Sequence, residues 1–306
     1  MANIIVLFIS LGVGMILKRG ELVPHNTHRG LNQLLINFFI PVLTLRYVPE
    51  TQFDERFTLP ILSAWLLFII GALLFRLVAP WFQLDRPTLG ALTLTGGIGS
   101  TSFVGLPVFE MLYGQRGLEI GIFMSQAGTF LVCIVLGITV ASWFSGLRPS
   151  GWAMMRRMVS FPPFLAFLVG LFLNLVGYYH PPLVAEVLGQ LSRPFSIIAL
   201  IAIGLQMDLS LKGWQTKPLL VGMTYKLLLA PLIIYILCVT FADPSPMVLE
   251  ITVIGAAMGS MNTVAIIAIR SKLNPPLAAQ MVGISIPLSF LIIYLIHWLL
   301  SAFPMI

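Results

Sequence analysis

Apolar residues in this chain follow one another in long runs, not in the alternation of a half-buried strand or the stripe of a surface helix. The runs cover residues 2–17, 31–49, 58–80, 88–112, 117–145, 161–179, 187–207, 218–241, 247–269 and 276–303. A helix needs roughly 17–25 apolar residues to cross a bilayer, so each run predicts one span and the chain predicts ten. The first run is short, and the fifth and last are long enough to tilt or to begin in the interface. No basic segment precedes the first run and no small-residue cleavage site follows it, which predicts a retained span. The longest connection, "SGLRPSGWAMMRRMVS" at 145–160, is a basic linker between the fifth and sixth runs, too short for a soluble domain.

One run is oddly built. "TLTGGIGSTSFVGLPVFEML" (93–112) carries Gly96, Gly97, Gly99, Gly105 and Pro107, with Ser100, Thr101 and Ser102 in a row. Glycine and proline weaken a helix, and hydroxyls gain nothing from lipid. Sliding the chain along itself by 160 residues lays Gly99–Ser100 on Gly259–Ser260, Val104 on Val264, Ser125 on Ser285 and Phe130–Leu131 on Phe290–Leu291. The second copy, "GAAMGSMNTVAIIAI" (255–269), is again small and polar. Two five-span repeats, 1–145 and 161–306 joined by the linker 146–160, would enter the membrane from opposite sides, the inverted-repeat architecture of secondary transporters. The expectation is an all-α membrane protein whose spans 4 and 9 break around Gly97–Pro107 and Gly255–Asn262 and cross at the bilayer centre.

Irregular backbone at that depth is tolerated only where protein or a water-filled cavity satisfies it. Two crossing breaks would aim half-helix N-termini at one spot, where an anion could bind. Ser100, Thr101, Ser102, Ser260 and Asn262 would add hydrogen-bonding groups there, beside Gly259 and Pro107. The alternative reading is close helix packing, with the hydroxyls bonded to neighbouring backbone.

Composition supports the membrane assignment. Of 306 residues 58% are hydrophobic and 9% charged, against about 25% charged in soluble domains. The net charge of +6 is scattered in ones and twos without an aromatic platform, so nucleic acid is not expected as a partner. The connections after odd-numbered spans hold Lys18, Arg19, Arg29, Arg76, Arg86, Arg148, Arg156, Arg157, Lys212, Lys217, Arg270 and Lys272. Those after even-numbered spans hold only Arg46, Arg56, Arg116 and Arg193. The bias places odd connections in the cytoplasm and both termini outside, in a bacterial inner or plasma membrane. Cys133 and Cys238 lie inside apolar runs and read as packing residues.

"GSTSFVGLPVFEMLYG" resembles the fourth-span signature of the auxin efflux carrier family, and "AAMGSMNTVAIIAIRSKL" resembles its ninth-span counterpart. "LLINFFIPVLTL" (34–45), "RPFSIIALIAIGLQM" (193–207), "KLLLAPLI" (226–233) and "GISIPLSFLIIY" (283–294) are similar to the second, seventh, eighth and tenth spans. The resemblance implies ten spans and export of small organic anions, auxin-like or mono- or dicarboxylate, by elevator-type alternating access. It also implies a transport domain of spans 3–5 and 8–10, and a scaffold of spans 1, 2, 6 and 7 that forms a homodimer. Ser100 stands where the family commonly has a substrate-contacting Asn, and Gly259 where the second break usually has Pro.

The remaining polar residues have two readings each. Lys226 either neutralises a substrate carboxylate or, more commonly for such a lysine, snorkels to the cytoplasmic interface. Gln126 and Asn174 are ligands or polar glue between helices. Glu110 and Glu119 are proton acceptors or exposed loop carboxylates. The rival functions are a bile-acid-type sodium symporter or channel of related architecture and, more remotely, an intramembrane enzyme. For the enzyme, Ser285 and His297 lie about 18 Å apart along one helix and could not meet. No zinc spacing or paired-aspartate motif is present, so neither metal nor cofactor is expected, and the coupling ion, proton or sodium, is open.

Overall fold

A computed structural model describes residues 2–24, 26–146, 156, 159–207 and 216–302. The expected basic linker apart from Gly146, Arg156, Val159 and Ser160 lies outside the described residues, as does Lys212. All regular structure among the described residues is helical. In chain order the helices are α1 (Ala2–Arg19), α2 (Thr27–Glu50), α3 (Glu55–Phe82), α4 (Arg86–Gly97), α5 (Thr101–Ser145), α6 (Pro162–Leu175), α7 (Pro182–Gln206), α8 (Thr216–Phe241), α9 (Pro246–Ala256), α10 (Asn262–Arg270) and α11 (Pro275–Ala302). Six of them, α2, α3, α5, α7, α8 and α11, are long and apolar enough to cross a membrane.

At 1.5 Å per residue an unbroken α5 would run roughly 68 Å, over twice the hydrocarbon thickness. It is divided at Gly114, whose φ of 65° and ψ of −149° no side chain tolerates easily. Wide π-turns punctuate the helices at Leu35–Phe39, Thr101–Gly105, Met124–Phe130, Cys133–Gly137 and Tyr225–Leu229. Two have a visible cause. Pro41 and Pro231 follow the turns at Leu35–Phe39 and Tyr225–Leu229, and because a proline ring crowds the carbonyl four residues back, here that of Asn37 or Leu227, each favours a wider turn.

The chain folds into two compact units. Unit 1 collects Met1–Asp54, Ser102–Ile122 and Gly151–Met207. In it Gly14 of α1 lies back to back with Gly204 of α7: a Cβ on Gly14 would be 2.3 Å from the Ile201 carbonyl oxygen, and one on Gly204 2.3 Å from that of Leu11. Asn174, at the end of α6, donates from Nδ2 to the carbonyls of Pro49 (2.8 Å) and Thr51 (2.7 Å), which ties α6 to the end of α2. It is therefore polar glue.

Unit 2 collects Glu55–Thr101, Phe123–Ser150 and Asp208–Ile306. Its apolar core includes Phe75, Leu92, Leu94, Val253 and Met281. Tyr225 packs edge-on against Phe75 and donates its hydroxyl to the Leu67 carbonyl. Asp85 caps α4 by accepting from the Thr88 backbone N–H at 3.0 Å.

Candidate functional site

The two small-residue stretches meet inside unit 2. Helix α4 ends at Gly97, and Ile98 is extended. The Ser100 N–H donates to the Gly259 carbonyl at 2.8 Å, and the Met261 N–H donates to that of Ile98 at 3.1 Å. Gly99 and Ser260 thus form an antiparallel bridge, the sole β-type pairing among the described residues. The non-helical residues are 98–100 and 257–261, between α4 and α5 and between α9 and α10. The first is shorter than the sequence suggests. Pro107 lies one residue into the regular helix Leu106–Phe123, where the missing N–H of a proline costs nothing.

Side chains lock the crossing. The Ser260 N–H donates to Ser285 Oγ (2.7 Å) and its hydroxyl to the Thr95 carbonyl (2.6 Å). Thr101 shares a short hydrogen bond with Thr129, which itself donates to the Ser125 carbonyl at 3.1 Å, so the shared proton comes from Thr101. The hydroxyl protons of Ser260 and Thr101 are therefore committed inside the protein. A Cβ on Gly259 would lie 2.6 Å from Ile286 Cα, so α11 approaches the bridge more closely than any side chain would allow.

Other polar groups lie at or near the crossing, and three of them, Lys226, Ser100 and Gln126, are buried. Lys226 is 1% exposed, and no described residue forms an ion pair or hydrogen bond with its ammonium. A Cβ on Gly99 would lie 3.0 Å from its Nζ. The lysine does not snorkel: it is buried, with its tip against Gly99 of the bridge. Ser100 is buried and its hydroxyl has no partner among the described residues. Gln126 is buried one turn from Thr129, and its Oε1 also lacks a partner. Asn262 opens α10 next to the bridge and is half-buried. Ser102 and Pro107 belong to unit 1. Among the described residues no three His, Cys, Asp or Glu side chains gather as a metal site would require.

Two residues of this lock, Thr95 and Thr129, are absent from the sequence-based candidates. Thr95 follows Thr93 in the first small-residue stretch and Thr129 lies four residues after Ser125, and no spacing singles either of them out. Ser285 does appear in the sequence, as the partner of Ser125 in the 160-residue offset, and here its oxygen accepts from the bridge. Glu110 is not an exposed loop carboxylate: it is half-buried in unit 1 and accepts from the Ser196 hydroxyl.

An extended bridge flanked by helix ends, with the buried side chain of Lys226 beside it, is a polar site on an apolar scaffold. Residues 1–297 match the family described as membrane transport protein. The chain is 27% identical over 287 residues to an uncharacterized transporter of Methanothermobacter thermautotrophicus, covering 90% of each. It is 24% identical over 306 residues to an uncharacterized transporter of Methanocaldococcus jannaschii, covering 97% of each. With a match over nearly its full length and several helices able to cross a membrane, the chain belongs to the membrane transport protein family, the family of the auxin efflux carriers.

Proposed function

We propose that this transporter is a secondary carrier of a small organic anion, bound at the Gly99–Ser260 bridge and moved by alternating access. The observation that carries this reading is the Lys226 ammonium, buried beside Gly99 with no carboxylate in the described structure to neutralise it. A buried cation is costly unless something pairs with it. A substrate carboxylate is that partner, and the Ser100 hydroxyl, Asn262, Gln126 and the first N–H groups of α10 complete its hydrogen bonds. The same ammonium would repel a sodium ion at this spot, which disfavours a bile-acid-type sodium site.

In this reading spans 4 and 9 are broken crossing helices of two inverted five-span repeats, with both termini outside. The shared 160-residue offset and the pairing of Ile98–Ser100 with Gly259–Met261 support it. Unit 2, which contains spans 3, 8 and 10, is the carrier of an elevator-type movement. Unit 1, which contains spans 1, 2, 6 and 7, is the scaffold and homodimer surface. Basic cytoplasmic connections would concentrate anions on that side and favour export.

The test is uptake into proteoliposomes of a panel of labelled mono- and dicarboxylates, with and without sodium or a pH gradient. A carboxylate should be transported by the parent protein, and Lys226→Gln should bind it about ten- to hundredfold more weakly, the cost of one hydrogen bond to a charged group. Transport of an amine or a neutral solute, or undiminished binding by the variant, would refute the reading.

A further inference from the structure

We propose that unit 1 holds a second binding site, for a small zwitterion that carries a primary ammonium close to a phosphate or carboxylate. It needs nothing of the bridge in unit 2. A cavity of about 340 Å³ is lined by Arg46 and Tyr47 from α2, Glu110 from α5, and Glu186, Gln190 and Arg193 from α7. Small-molecule sites are of about this size or larger, roughly 300–1,000 Å³.

The charges of this cavity do not cancel internally. Arg46 is already neutralised, with its Nη1 2.9 Å from Glu50 Oε2, and its guanidinium carbon lies 5.4 Å from the centre of the Tyr47 ring. Arg193 is exposed, and its guanidinium makes no ion pair or hydrogen bond with any described residue. Glu110 accepts from Ser196, and Glu186 accepts from Gln190 Nε2 at 3.0 Å. A carboxylate has about four acceptor positions, so each keeps room for further donors. What remains is one free guanidinium among two carboxylates. A simple anion would meet Glu110 and Glu186, and a simple cation would leave Arg193 unanswered. A zwitterion satisfies both, its anionic group on Arg193 and its ammonium shared by the carboxylates. A trimethylammonium group has no N–H to donate, so the cavity selects a primary amine. Phosphoethanolamine meets these requirements, either as a lipid headgroup or as a free solute.

The test uses the full-length protein, delipidated in a non-ionic detergent, titrated with glycerophosphoethanolamine, glycerophosphocholine and glycerophosphoglycerol, and then with the corresponding phospholipids in nanodiscs. The ethanolamine form should bind about tenfold or more tightly than the other two. Arg193→Gln should weaken all phosphate-bearing probes, and Glu110→Gln should bring ethanolamine and choline forms together. Preference shown by the free headgroups assigns the site to a solute, and preference seen only with acyl chains assigns it to the lipid; either supports the proposal. Equal binding of the three headgroups in both formats, or an Arg193→Gln variant that binds all three as tightly as the parent, would overturn it. Arg193 is exposed, so that variant remains informative if Glu110→Gln fails to fold.

Discussion

Gly99 and Gly259 lie on the two paired segments, and each excludes a side chain for a different reason. At Gly99 the nearest obstacle is the flexible tip of Lys226, 3.0 Å from where a Cβ would be. At Gly259 it is the backbone of Ile286, with Cα at 2.6 Å and N at 2.7 Å. A lysine tip can move and a helix backbone cannot, so the two alanine variants should differ in kind. Gly259→Ala should lower the unfolding temperature in detergent, at a cost of about 1–3 kcal/mol, the usual range for overpacking. Gly99→Ala should leave that temperature nearly unchanged and weaken substrate binding by displacing the ammonium. The reverse pattern in thermal unfolding and ligand titration would show that Lys226 is structural and that the bridge can yield at Gly259.

At the scale of the elements, glycine decides how closely helices approach, and proline decides where they open. Helices α1 and α7 touch backbone to backbone at Gly14 and Gly204. Gly14→Ala would place a Cβ 2.3 Å from the Ile201 carbonyl oxygen, so the helices must separate. We expect that variant to lose thermal stability or fail to assemble, whereas Gly12→Ala, with open space around it, should behave as the parent. The apolar runs made the helices legible, because run length and composition are local properties. The glycines and serines of 93–112 and 255–269 marked the two segments that pair at Gly99 and Ser260, since they are poor choices for a helix facing lipid. The π-turn that holds Lys226 was hidden, although Pro231 follows it in the sequence. Thr129 and Ser285 engage partners 28 and 25 residues away, and one hydroxyl in an apolar run does not announce such a contact.

At the scale of the molecule, the chain divides its polar chemistry between two units. Unit 2 buries Lys226, Ser100, Gln126 and Ser260 at or near a short extended bridge, and unit 1 holds a cavity of mixed charge. The basic residues of the connections predicted a side for each terminus, but which solute enters was not legible. In the proposed reading substrate identity depends on how Lys226, Ser100, Asn262 and Gln126 are oriented around the bridge, and spacing along the chain does not encode that. The proposed reading turns on the sign of the charge beside the bridge, where Lys226 is buried with its Nζ 3.0 Å from the Cβ position of Gly99.

That sign is the central claim, and competition binding on the purified protein tests it most directly. A labelled carboxylate is displaced by its unlabelled acid, by the methyl ester, or by an amine of equal size, at two pH values on either side of the acid's own pKa. The ester keeps the apolar contacts and loses the charge-assisted hydrogen bonds. The account predicts that the ionised acid competes and that the ester and amine compete about ten- to hundredfold more weakly. Equal competition by acid and ester, or tighter binding of the amine, would contradict it.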